Sequence, residues 1–246
     1  MRKAGRIIAA VSGVLVALLA YVYLTLPDVR PLRTTNPTLT AFMQLRAQEA
    51  QAKGRTPRRV QYWVGYARIS PDLKRAVLVA EDSAFWQHEG IDIEQIRESV
   101  EANLEKGKRV RGASTITQQL AKNLYLSPSR DPVRKLRELL ITRRLEAELT
   151  KRRILELYLN VIEWGDGIYG AEAAARVYFH KAALELDPEE AALLAGAIRS
   201  PRRLNPAHPS RGLVRIQRLI LERMGEVTPP ASEGPPSSAV GGPGSP

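Results

Sequence analysis

Cysteine is absent from this chain, which excludes disulfides, thiolate metal sites and cysteine nucleophiles. The absence says nothing about compartment, because a core of this size needs no staples on either side of a membrane. Acidic residues are the scarcer charge, 26 against 37 Lys and Arg, and the net +11 calls for an anionic partner. Nucleic acid, anionic lipid and phosphorylated substrate all meet that demand on charge alone. No parallel-sheet pattern and no internal repeat is visible. The 246 residues suit one good-sized domain with appendages.

What is present at the N-terminus narrows the choice. Residues 1–6 contain Arg2, Lys3 and Arg6, and Ile7 to Leu26 then runs without a charge. At helical rise that run covers roughly 30 Å, enough for a bilayer core. The positive flank places residues 1–6 in the cytoplasm and everything after 7–26 outside. A cleavable signal peptide is the rival reading, but Tyr21, Val22 and Tyr23 do not resemble a small-residue cleavage site. The expectation is a retained single-pass transmembrane helix with the domain in the periplasm. A domain so placed meets no DNA or ATP pool, so nucleic acid drops out as the anionic partner.

Residues 27–59 read as a connector with a short helix over Thr38 to Ala52. Val60 to Ile69 has the β-branched and aromatic content of an extended segment, and nearly everything after it reads as helix. Ser70-Pro71, Asp131-Pro132 and Asp187-Pro188 each place an N-cap before a proline at the first helical position. Asp187 with Glu190 also has capping-box spacing. Thr150 caps a further helix, and a last one runs from Ser210 to about Met224. Residues 226–246, rich in Pro, Gly and Ser, read as a disordered tail, which leaves 60–225 as the domain.

Within that domain, Gly112 to Leu126 carries Lys122 as its only charge. Ile116, Leu120 and Leu124 form an apolar stripe, while Ser114, Gln118 and Lys122 share another spacing with Thr115 and Gln119 beside them. Such a row either grips a polyoxygenated ligand or lies flat on the surface. Glu81 and Asp82 fall where the helix from Pro71 should end, against the macrodipole. Active sites tolerate that arrangement, and a raised pKa there would suit a general base. His88 has no second His or Cys at ligand spacing and reads as a hydrogen-bonded structural histidine. Glu138 sits among Arg130, Arg134, Lys135 and Arg137, more cations than one glutamate needs and a fit for a phosphorylated ligand. Gly165 to Gly170 matches G-x-G-x-x-G but follows a helix, so it reads as a tight turn between helices and not as a dinucleotide site.

The segments EDSAFWQHEGID, RGASTITQQLAKNLYL, RKLRE, RRILELYLNVIEWGDGIYGAEAAARVYF and LDPEEAALLAGAIRSPRRLNP occur in this order and spacing. Together they resemble the five blocks of the peptidoglycan glycosyltransferases (glycosyltransferase family 51), over about residues 60 to 225. The chain is similar to the monofunctional branch of that family, since no room for a transpeptidase follows and His180 stands where fused relatives often have glycine.

The resemblance implies a mainly α, lysozyme-like bilobal domain with its small lobe beside the membrane, residues 91–111 forming a mobile membrane-proximal part. It implies a substrate, lipid II, whose glycan is passed from undecaprenyl pyrophosphate to the GlcNAc 4-hydroxyl of an acceptor lipid II, with inversion. Glu81 matches the general base and Glu138 the second essential glutamate, beside the donor pyrophosphate, where it orients cationic groups or a divalent cation (Mg or Mn). Lys122 and Arg130 match donor-site cations, and Ser114, Gln118 and Gln119 polar contacts to sugar and phosphate. Phe85, Gly112 and Thr115 match residues that shape the cleft, while Arg137 falls where relatives vary. Membrane lipid, cell-wall synthesis or division proteins, and inhibition by moenomycin belong to the same expectation. Two other readings remain: a membrane-anchored muramidase or lytic transglycosylase that cuts glycan, and a non-catalytic scaffold of the cell-wall machinery. A hydrolase has no use for a row of pyrophosphate-binding cations.

Overall fold

The computed structural model describes residues 2–105, 114–127 and 131–227, with side chains except at 2–11, 15, 103, 105 and 226. The chain is mainly helical. Helix α1 (Arg2–Leu24) comes first. The expected membrane span lies partly outside the residues whose side chains are described, and among the described residues no helix is long and apolar enough to cross a membrane. After it, α2 (Ala41–Ala52) is shorter than the expected helix because Thr40 caps it, its hydroxyl accepting from the Met43 N–H.

Helices α3 (Pro71–Glu81), α6 (Pro132–Glu148), α7 (Lys151–Val161), α9 (Pro188–Ala197) and α10 (Arg211–Arg223) begin where their caps predict. Ser70, Asp131, Thr150, Asp187 and Ser210 each accept a backbone N–H of the first turn, and the Asp187–Glu190 capping box is closed on both sides. Each such cap is worth about 1 kcal/mol. Between them lie α4 (Ile93–Glu105), α5 (Ile116–Tyr125) and α8 (Ala171–Phe179). Helix α3 packs against α9 and α10, and α5 against α2, α6 and α7, so α5 runs through the middle of the domain. Its expected stripe is the reason: Ile116 and Leu120 are fully buried and Leu124 nearly so. Truncating one such leucine to alanine costs about 2–5 kcal/mol.

Two expectations about extended structure change. Of Val60 to Ile69 only Val60–Gln61 forms a strand, β1, and Tyr66–Arg68 turns into a 3-10 helix. The rest needs no neighbouring strand because the Asn160 side chain replaces one, its Oδ1 accepting the Val64 N–H and its Nδ2 donating to the Val64 carbonyl. The glycine-rich segment is a hairpin and not a turn between helices. Strands β2 (Glu163–Gly165) and β3 (Ile168–Tyr169) pair antiparallel, and β1 joins β3 in parallel with Val60 opposite Ile168. Gly167 closes the hairpin at φ 71°, where an added Cβ would meet the Arg58 carbonyl at 2.5 Å.

After α10, Met224–Glu226 form a 3-10 turn, and Val227 is buried against the core. The expected tail after it lies outside the described residues, as do residues 106–111 of the expected membrane-proximal segment.

Candidate active site

Glu81 is the last residue of α3 and Asp82 its C-cap, so the chain turns out of the helix with two adjacent acids. Asp82 is almost fully buried and completely used. Its Oδ2 accepts the Ile116 N–H at 2.9 Å and its Oδ1 meets His88 Nε2 at 2.9 Å. Gly90 donates its N–H to His88 Nδ1 at 3.1 Å, so that nitrogen carries the lone pair and Nε2 the proton. Gly90 takes φ 81°, and its carbonyl accepts from the Thr115 hydroxyl at 2.7 Å. The loop after α3 is thereby stitched to the start of α5.

Thr115 caps α5 with a full capping box: its hydroxyl accepts the Gln118 N–H while the Gln118 side chain accepts the Thr115 N–H. This changes the expected row. Thr115 and Gln118 are buried and serve the cap, Ser114 precedes the helix, and the face left to the cleft is Gln119 and Lys122. The T-x-x-Q spacing was the signal for it in the sequence. Phe85 is fully buried and stacks edge-on to Trp86, with the Lys151 ammonium 4.5 Å from its ring centroid, so it supports the cleft from inside.

Gln119 Nε2 donates to Glu81 Oε2 at 2.7 Å, and Gln119 Oε1 accepts the Tyr158 hydroxyl at 3.0 Å. Burial pushes the Glu81 pKa up, with Asp82 adding to the rise; the Gln119 bond, Lys122 and Arg199 oppose it. Glu81, Ser114, Gln119, Arg199 and Arg223 line a cleft of about 520 Å³. Gln119 also borders a smaller hollow of about 130 Å³ with Lys122, Arg46 and Glu163.

The Lys122 ammonium interacts with both Glu138 and Glu81. Burial pulls its pKa down, Glu138 and Glu81 raise it, and Arg134 and Lys135 lower it further. Glu138, nearly buried on α6, receives Arg134 on Oε2 at 2.7 Å and Lys135 on Oε1. The buried Arg134 Nε–H has no partner among the described residues, a donor suited to an anionic oxygen.

Arg137 is not brought to this cleft. Its guanidinium donates to the Thr25 hydroxyl and carbonyl, both at 2.9 Å, just past the end of α1. Gly112 and Arg130 lie outside the described residues. Tyr158, Arg199 and the Arg46–Glu163 pair are the polar groups that sequence reasoning missed. Tyr158 was hidden in an apolar helical stripe, Arg199 in a basic run. Arg46 holds Glu163 Oε2 through two nitrogens at 3.1 and 2.9 Å, while Oε1 is buried and unpartnered among the described residues.

A divalent cation fits poorly here. Both Glu138 oxygens already bond cations, and Arg134 and Lys135 as placed repel a third. Among the described residues the one group with ligand spacing is Asp82, His88 and Asp92. There the His88 tautomer and both Asp82 oxygens are spent on hydrogen bonds, and Asp92 Oδ1 accepts the Gln95 N–H.

The family model for Transglycosylase matches residues 48–225. Among curated proteins the chain is similar to three that carry the name biosynthetic peptidoglycan transglycosylase. The protein of Aromatoleum aromaticum is 52% identical over 195 residues, 79% of this chain and 84% of the relative. That of Dechloromonas aromatica is 49% identical over 189 residues, 77% and 82%. That of Laribacter hongkongensis is 46% identical over 226 residues, 91% and 98%.

Proposed function

The chain belongs to the transglycosylase family, and from that membership and its cleft we propose that it polymerises lipid II with Glu81 as general base. It is a peptidoglycan glycosyltransferase. One observation carries the mechanistic reading: a half-buried carboxylate with a raised pKa opens on a cleft beside a half-buried ammonium that also interacts with a second carboxylate.

The acceptor's GlcNAc 4-hydroxyl loses its proton to Glu81 as its oxygen bonds to C1 of the donor's MurNAc. The bond from C1 to the pyrophosphate oxygen breaks, undecaprenyl pyrophosphate departs with the electron pair, and the α-linkage becomes β-1,4. A base poised above the ordinary carboxylate range and charge stabilisation on the leaving side are what a single displacement requires. Lys122, with Arg134 and Lys135 behind it, supports the leaving-group side, and Arg130 would join them. Glu138 holds those α6 cations in place.

A lysozyme-like bilobal arrangement and a single-pass anchor over residues 7–26, with the domain in the periplasm, complete the reading. The basic N-terminal flank supports it, as do the exposed Val14, Val16 and Leu24 on α1. Membrane lipid and cell-wall synthesis or division proteins are the partners that reading implies.

Purified protein given labelled lipid II should yield long glycan chains, blocked by moenomycin and lost in Glu81→Gln, with no cleavage of preformed glycan. Release of fragments from glycan would instead favour the muramidase reading. Absence of polymer where a known relative makes it would sink the proposal.

A further inference from the structure

We infer that Tyr158 is a positioning residue for the base: its hydroxyl orients the Gln119 amide, and that amide holds the Glu81 carboxylate. The inference rests on Glu81 being the base. Tyr158 lies in the buried stripe of α7 with Ile154, Leu155, Leu157 and Val161, and none of its surface reaches solvent. Packing alone would accept phenylalanine there. The hydroxyl spends its hydrogen bond on a side chain that itself contacts Glu81, across 39 residues of sequence.

The two bonds fix the amide in one sense. A carboxylate only accepts, so the Gln119 NH₂ must face Glu81, and the Gln119 carbonyl is left to face a donor. Tyr158 supplies that donor. A flipped amide would set its carbonyl against the Glu81 oxygen and its NH₂ against the phenol, losing both bonds. Burial and the nearby Glu81 and Asp82 charges keep the phenol protonated far above any working pH, so the donor does not titrate away.

With phenylalanine at 158 the amide is free to turn, and Glu81 loses the bond that most opposes the effect of its burial. The remaining charged groups facing Glu81 are Lys122 from α5, Asp82 beside it and Arg199 beyond α9, with Arg223 of α10 lining the same cleft. None of them replaces the lost donor on Oε2. Glu81 should therefore hold its proton to higher pH and point less reproducibly at the acceptor hydroxyl.

The test is the pH dependence of lipid II polymerisation by the full chain carrying Tyr158→Phe. Expected are a KM within about twofold of wild type, a kcat near neutrality lower by roughly tenfold, and an acidic limb displaced upward by on the order of one pH unit. Tyr178→Phe is the control, since that hydroxyl bonds the Trp164 carbonyl at 3.2 Å and not the site. It should keep the wild-type limb. An unmoved limb in Tyr158→Phe, or an equal displacement in Tyr178→Phe, overturns the inference. Should Tyr158→Phe not fold, 3-fluorotyrosine at position 158 keeps the packing and strengthens the donor. It should move the limb to lower pH, and an unmoved limb is again decisive against. A wild-type enzyme that makes no polymer refutes the base assignment itself, a different failure.

Discussion

Asp82 accepts the backbone N–H of Ile116 at 2.9 Å, so the carboxylate that opposes the dipole of α3 lies at the favourable end of α5. One residue closes one helix and opens another. The cost read from the end of α3 alone is thus offset by a helix 34 positions away in sequence. Glu81, the neighbour that gets no such cap, keeps the raised pKa.

Asp82→Ala should be severely destabilising. It leaves the buried Ile116 N–H and the His88 ring without their acceptor, a loss of about 2–3 kcal/mol. Chemical denaturation measures it, and Asp82→Asn, which keeps an acceptor oxygen, should recover part of the loss. Equal stability of the alanine variant and wild type would show that the stitch between the two helices is not structural.

Glu81→Gln should abolish polymerisation, by about 10²-fold or more, and yet raise the melting temperature at neutral pH by roughly 2–4 °C. Burial raises the folded pKa of Glu81 above its unfolded value of about 4.5. The unfolded chain releases that proton first. This group's contribution is therefore most favourable below pH 4.5 and declines as pH rises toward the folded value. Melting curves of both proteins at pH 4 and pH 7 should converge at the lower pH. A variant no more stable than wild type at pH 7 contradicts the origin assigned to the shift.

Lys122→Ala and Arg137→Ala should separate cleanly. The first removes a half-buried cation that interacts with both carboxylates, and kcat/KM for lipid II should fall by roughly 10²-fold. The second removes a guanidinium committed to Thr25, and kcat/KM should stay within about threefold. Steady-state kinetics in detergent reads both, and a fully active Lys122→Ala enzyme would refute the donor-cation role.

His180 ends α8 in the left-handed region at φ 58°, the one non-glycine residue with positive φ among those described. That backbone explains why glycine suits the position. His180→Gly should relieve about 1 kcal/mol of strain, read as a higher denaturant midpoint with unchanged activity. A lower midpoint would mean that the imidazole contributes more than its backbone costs.

Helix starts were legible because caps are local chemistry. Ser70, Asp131, Thr150, Asp187 and Ser210 needed only their own first turns to act. The hairpin at Gly165 to Gly170 was not legible, since its strands are two and three residues long and β3 finds its second partner in β1, far earlier in the chain. Strands that short leave no periodicity to read. Among candidate site residues, Glu81, Ser114 and Gln119 line the cleft and Lys122 the hollow beside it, whereas Phe85, Thr115 and Gln118 were drawn into the core and the cap.

The sequence by itself determined the family, the helical order and the identity of the acids and cations, because motif spacing and capping are written along the chain. Only the tertiary structure decided which groups face one another. Helical spacing set Ser114, Gln118 and Lys122 in one row, but the Thr115 cap took Gln118 and gave its place to Gln119. The sequence placed Arg137 beside Glu138, and the packing of α6 on the end of α1 turned its guanidinium to Thr25. Side-chain partners are set by contacts between elements far apart in the chain, and those contacts exist only once the helices have packed.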